Sequence, residues 1–155
     1  PGPRDSALQG LQERRKRAHH LKPEQIDKTQ LDIALEEFFH EVQVNSGIDI
    51  QFRKNEPTFT LTSEAELSIF RGVQEAITNA MRHGQATRIT VLLMYNPSQL
   101  VVTIKDNGTG AVDLAPKGGL KSLQERLRGE GGSVTLETSN PGVTVQMILP
   151  NTEKQ

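Results

Sequence analysis

The sequence predicts an α+β fold: a two-layer sandwich in which one mixed, mostly antiparallel sheet carries helices packed on one face. Three features point there. Apolar residues recur at three- and four-residue intervals in two long segments, Leu31, Ala34, Leu35, Phe38, Phe39, Val42 and then Leu67, Phe70, Val73, Ile77, Ala80, Met81, the spacing of a buried helical face. Alternating segments arrive in adjacent pairs, residues 88–94 with 100–105 and residues 134–138 with 143–149, as antiparallel neighbours do. Helices and strands are interspersed without an internal repeat, so one shared core is expected.

In chain order, residues 4–22 are polar and basic (Arg14, Arg15, Lys16, Arg17, His19, His20), with a narrow apolar stripe of Leu8, Leu11, Ala18 and Leu21. This predicts a helix ending at Lys22, because Pro23 disfavours helix at the residue before it. The run Arg14 to Arg17 fits a solvated face, since no aromatic residue interleaves it to stack bases. The helix through Leu31 and Val42 breaks at Asn45-Ser46-Gly47. Ile48, Ile50 and Phe52 alternate with polar residues and predict a strand; Phe59 and Leu61 predict a short second one. Ser63-Glu64-Ala65-Glu66 carries a capping-box signature opening the longest helix, which Gly84 is expected to close. The next two strands join through Asn96-Pro97-Ser98. A glycine-rich loop then spans 106–119, a short helix 120–128, and a hairpin turns at Asn140-Pro141-Gly142. Residues 151–155 read as a frayed tail.

At 155 residues the chain is one domain in size, able to bury close to ~70% of the surface it exposes unfolded. Hydrophobic residues make up 34% and charged residues 24%, the composition of a globular domain. Aromatics are 4% with no Trp, so the core rests on Leu, Ile, Val and Ala. A net charge of −1 gives no general pull toward nucleic acid. The absence of Cys excludes disulfides and thiolate metal sites. His19, His20, His40 and His83 form no metal-ligand spacing. No apolar run approaches the ~20 residues of a membrane span, and no signal peptide is visible. The chain opens Pro1-Gly2-Pro3 without an initiator Met, which reads as a processed or excised chain whose parent could carry an anchor elsewhere.

Three segments carry chemistry. On the longest helix Glu75, Asn79 and His83 stand at i, i+4 and i+8, one polar face beside the apolar one. Asp106-Asn107-Gly108-Thr109-Gly110 follows a strand directly; glycine lets backbone approach a ligand closely. Lys117-Gly118-Gly119-Leu120 leads into a helix, and free N–H groups there favour anions. Each is common alone: a solvated face, a turn, a helix start. Their order together is far more specific.

In that order, residues 74–83 resemble the N box of the histidine-kinase ATPase domain. Asp106 to Gly110 resembles its first glycine box. Gly118-Gly119-Leu120, with Gln124-Glu125-Arg126-Leu127 and Gly131-Gly132, resembles the second, and the stretch from Val143 to Pro150 matches the closing strand. The resemblance covers residues 21–150 and is nearest to sensor histidine kinases of the nitrate-sensor and degradative-sensor type, whose dimerisation domain ends in a motif like Leu21-Lys22-Pro23. It implies the Bergerat ATP-binding fold over residues 23–150, with residues 1–22 the end of a dimerisation helix and linker.

It also implies roles. Asn79 would hold Mg²⁺, and Glu75 would orient metal-bound water; both count as catalytic. Arg82 and His83 would face the ATP phosphates. Asp106 would accept from the adenine amino group. Gly108, Gly110, Gly118, Gly119 and Leu120 would form the lid and cradle. The reaction implied is γ-phosphoryl transfer to a histidine, for relay to a response regulator, in a cytoplasmic domain whose homodimeric parent could sit in the bacterial inner membrane. The isolated domain would be monomeric.

The family's acceptor is a His followed by an acidic residue on the first dimerisation helix. Only His40, before Glu41, has such a neighbour; it lies on a helix of the ATP-binding unit and reads as structural, so the acceptor is expected outside this chain. Two positions depart from the family pattern, and both bear on nucleotide affinity. Lys117 stands where a first glycine is usual, and Val143 follows Gly142 where a Thr is usual. Two other readings share these residues: a serine kinase of the anti-sigma class, and a degenerate module that binds nucleotide or a partner without catalysis.

Overall fold

A computed structural model describes residues 29–110, 114–139 and 141–152. The basic helix expected over residues 4–22, with His19, His20 and the Leu21-Lys22-Pro23 segment, lies outside the described residues, as does the end of the tail.

Helix α1 (Gln30–Ser46) begins in a reciprocal cap: Thr29 Oγ1 accepts from the Asp32 N–H at 3.0 Å, and Asp32 Oδ2 accepts from the Thr29 N–H at 3.2 Å. It ends at Gly47, whose φ of 77° few other residues adopt easily. Strand β1 (Asp49–Lys54), helix α2 (Ser63–Arg82), strands β2 (Arg88–Asn96) and β3 (Gln99–Asp106), helix α3 (Gly119–Arg128) and strands β4 (Ser133–Thr138) and β5 (Val143–Pro150) follow. The sheet order is β1-β2-β3-β5-β4. β1 and β2 run parallel, as the intervening α2 crossover requires, and the other pairs are antiparallel. This is the mixed, mostly antiparallel sheet that the sequence predicts.

Register places the apolar residues in rows across the sheet. Val91 pairs with Ile104 and Ile104 with Val145; Leu93 pairs with Val102 and Val102 with Met147. Onto these rows α2 lays Ile69, Phe70, Val73 and Ile77, all fully buried, each contributing roughly 1.5–3 kcal/mol by leaving water. Gly72 lets α3 close against α2, since a Cβ there would overlap the Leu123 side chain and come within 2.9 Å of Met147.

Four local expectations change. No strand forms at Phe59 and Leu61. After Lys54 the Asn55 side chain takes the next place beside β2, donating to the Tyr95 carbonyl at 2.8 Å and accepting its N–H at 2.7 Å. Phe59 is buried edge-on against the Tyr95 ring instead. The cap of α2 is Thr62, one residue earlier than expected, and Glu66 does not close a box. Its carboxylate is buried and accepts from the Leu31 N–H of α1 at 3.0 Å. Gly84 does not end α2 in a left-handed turn; the left-handed residue is Gln85, at φ 53°. His40, read as serving the packing of α1, is exposed.

The start of α1 is a polar joint. Asp32 is buried and paired with Lys54 Nζ of β1 at 3.2 Å, and Glu66 of α2 meets the same turn. Near them, burial first and then the Asp32 and Glu66 carboxylates push the Tyr95 phenol far above its ordinary range. Below pH ~10 that phenol is neutral in both folded and unfolded chains. Above it, the unfolded chain loses the proton while the folded chain keeps it, so stability falls as pH rises. Denaturant melts from pH 9 to 11 should therefore show a loss approaching ~1.4 kcal/mol per pH unit that Tyr95→Phe removes. Tyr95 is the chain's one tyrosine and there is no Trp. Its phenolate absorbance should thus appear only as the protein unfolds; a titration near pH 10 in the folded state would contradict the buried setting.

Candidate functional site

Between α2 and the β3-β5-β4 side of the sheet lies a cavity of about 570 Å³, a size suited to a small-molecule ligand. Its α2 wall carries Glu75, Asn79 and His83 with Ala76 and Ala80 between them. The helical repeat that aligns the polar three also aligns the two alanines, whose short side chains leave room above the core. Leu120, Leu136, Val143 and Val145 make the rest apolar, Gly110, Ala115, Lys117 and Gly118 complete the rim, and Asp106 lies at the buried side.

Asp106 is the charged group set deepest. Leu100, Val102 and Ile104 point into the core from β3, and a strand alternates its faces, so Asp106 continues the same side. It is 9% exposed. A carboxylate so placed needs hydrogen bonds. Its Oδ1 receives the Gly108 N–H at 2.8 Å and the Val143 N–H at 3.3 Å. Both bonds fall on one oxygen, and the second is left for the cavity that Asp106 lines.

The turn after Asp106 is fixed rather than loose. Asn107 Oδ1 accepts the N–H groups of Thr87 and Arg88, each at 2.9 Å. The Thr109 N–H donates to the Gly84 carbonyl at 2.8 Å. Gly108 lies on that carbonyl so closely that a Cβ would overlap it. Gly108, expected to help a lid close, is thus packed against the end of α2. Gly142 (φ 94°) meets Asp106 from the other side, where a Cβ would overlap its carbonyl and stand 2.7 Å from Oδ1.

At the other end Gly118, with φ 55°, turns the chain into α3, which has no side-chain cap. Gly119 stands against the Glu75 carboxylate; a Cβ there would come within 3.0 Å of its Cδ. The structure therefore gathers Glu75, Asn79, His83, Asp106, Gly110, Gly118 and Leu120 around one cavity, with Gly108 and Gly119 as backbone contacts beneath it. Arg82 is exposed and is not part of the wall. Sequence reasoning missed Ala76, Ala115, Leu136 and Val145, and placed Ala80 only in the core. Leu136 and Val145 signalled no more than apolar alternation and Ala76 no more than helical spacing, patterns that serve a core and a cavity floor alike, and Ala115 in the loop gave no signal. Thr144, one residue past Val143, gives its hydroxyl to a hydrogen bond with Ser139 Oγ.

A helix-on-sheet sandwich whose cavity joins one strand-end carboxylate, an apolar floor and a polar helix face is the arrangement of an ATP-binding domain. The chain belongs to the Histidine kinase-, DNA gyrase B-, and HSP90-like ATPase family, whose model matches residues 64–153. It is 30% identical to the sensor histidine kinase MctS of Rhizobium johnstonii over 93% of its length, and 30% identical to the oxygen sensor histidine kinase NreB of Staphylococcus carnosus over 86%. It spans 33% and 40% of those two proteins. Its fold resembles the histidine kinase domain of the Erythrobacter litoralis EL346 blue-light activated histidine kinase, with TM-score 0.67 and 21% identity, over 94% of this chain and 71% of that one.

The contacts at Gly142 give a direct test. Gly142→Ala adds a Cβ against Asp106 at a positive φ, so the start of β5 must move and the Val143 N–H must leave the carboxylate. Urea denaturation should show a loss of about 1–3 kcal/mol. Gly131→Ala, also at positive φ but with its nearest neighbour at 3.6 Å, should cost less. Equal losses would mean that backbone strain alone, and not the approach to Asp106, requires glycine at 142.

Proposed function

We propose that this chain is the ATP-binding kinase domain of a two-component sensor histidine kinase. The observation that carries the reading is the shared cavity: Asp106, buried at a strand end with one oxygen held by backbone N–H groups, opens into the same space as Glu75 and Asn79. The family match and the names of the two relatives support it. The domain would transfer the γ-phosphoryl group of ATP to a histidine on a dimerisation helix outside these residues. The imidazole nitrogen bonds to the γ-phosphorus, the bond from that phosphorus to the bridging oxygen breaks, and ADP leaves. A response regulator then accepts the phosphoryl group.

Asp106 reads the base by accepting from the adenine amino group. The apolar floor of Leu136, Val143 and Val145 takes the ring. Asn79 and Glu75 offer oxygen donors suited to a hard cation. Mg²⁺ would arrive with the nucleotide and keep several of its waters. Asn79 would hold the ion and Glu75 would orient its water; the ion would neutralise charge developing on the phosphates. The chain's own work is positioning. His83 lines the cavity, whereas Arg82 would reach phosphate only by swinging in from solvent.

Residues 23–150 form the ATP-binding unit in this reading, preceded by the end of a dimerisation helix. The parent is a homodimer and this unit a monomer when alone. Among the described residues no helix is long and apolar enough to cross a membrane; a cytoplasmic position, with any anchor elsewhere in the parent, suits an ATP-dependent reaction.

Nucleotide titration tests the site. The wild-type chain should prefer ATP over GTP, and Asp106→Asn should erode that preference by about 1–3 kcal/mol, the cost of leaving a buried partner unsatisfied. Asn79→Ala should abolish Mg²⁺-dependent ATP binding in a folded protein. A chain that binds neither nucleotide would leave only an interaction module. Phosphotransfer tests the reaction. Incubation of this chain with labelled ATP should give no acid-labile phosphohistidine. Label should appear, slowly, on an added polypeptide carrying the upstream dimerisation helices, because an untethered acceptor lacks the ~mM effective concentration of a short linker. Label on His19, His20 or His40 would place the acceptor within the chain, and label on Ser or Thr of a partner would favour the anti-sigma class.

A further inference from the structure

We propose that Lys117, the residue standing where the family pattern has a glycine, binds the phosphates of the nucleotide; this rests on the ATP-binding reading above. Three observations converge. Lys117 lines the cavity and its side chain is exposed at the rim. Its backbone is anchored, for its carbonyl accepts the N–H groups of Leu120 at 3.1 Å and Lys121 at 3.4 Å, so the ammonium is carried on a residue tied to the first turn of α3, just before its cap. That turn has neither a side-chain cap nor an acidic residue of its own, so its positive end adds to the charge of the ammonium.

The position within the cavity fixes which part of the ligand is met. Asp106, Gly142 and Val143 mark the base-reading end. Gly118 and Gly119, directly after Lys117, lie against the Glu75 carboxylate at the opposite end, where a Cβ on them would stand 3.7 and 3.0 Å from Glu75 atoms. Lys117 and the N-terminus of α3 therefore present positive charge together, beside the one carboxylate of the α2 face. A polyphosphate bound there gains an ammonium that a glycine cannot supply. Lysine suits the task as a compact point charge on a flexible stem.

The test is calorimetric titration of the wild-type, Lys117→Met and Lys117→Arg chains with ATP, ADP and adenosine. Lys117→Met should weaken ATP about tenfold at low salt, ADP by less, and adenosine by under about twofold, with the difference shrinking as salt rises. Lys117→Arg should recover most of the loss. ATP binding unchanged in Lys117→Met, or adenosine weakened as much as ATP, would overturn the assignment. A wild-type chain that binds no ATP at all would overturn the ATP-binding reading and this one with it, whereas wild-type binding matched by Lys117→Met sinks this one alone.

Discussion

A carboxylate on the core-facing side of a strand must be met by donors or be pushed out to water. At Asp106 that requirement organises the surrounding backbone. One donor comes from the turn that follows it and one from the start of β5. For the first to reach, Gly108 lies directly on the Gly84 carbonyl; for the second, Gly142 comes against Asp106 itself. The end of α2, the turn after β3 and the start of β5 are thereby locked to one oxygen atom. The cavity is the space that these three segments and α3 leave between them.

The departure at Val143 belongs to the same arrangement. Its backbone, not its side chain, serves the carboxylate, and any residue but proline supplies that N–H. The side chain is then free to extend the apolar floor with Leu136 and Val145. The neighbouring hydroxyl does not substitute for the missing threonine, because Thr144 is already paired with Ser139. Base recognition in the proposed function accordingly rests on Asp106 and shape.

The helical face was legible because its period separates two sets of residues: Glu75, Asn79 and His83 against Ile69, Val73 and Ile77. Asp106 was legible from the glycine motif; its place in the alternation Leu100, Val102, Ile104, Asp106 appears only because β3 runs one residue further than expected. What escaped depends on partners distant in sequence. Glu66 looked like a local cap until Leu31, thirty-five residues earlier, claimed it. Phe59 and Leu61 carried a strand's alternation, but the Asn55 amide had taken the adjoining place beside β2. Gly84 looked like a helix stop; its carbonyl instead receives Gly108, whose lack of a side chain admits a contact that no local pattern encodes. Arg82 follows the motif in sequence, yet the turn of the helix leaves it in solvent.

Helix α2 is also a rod with both ends engaged. Its 20 residues span roughly 30 Å at 1.5 Å per residue. Near one end Glu66 grips the first turn of α1, where Asp32 is tied to β1. Near the other stand Asn79 and His83, and Gly84 bears on the turn after Asp106. Helices bend more readily than they shorten, so a shift of the first turn of α1 along that axis has no slack in which to be lost. Mechanically, the chain's inlet and its cavity lie at opposite ends of one strut.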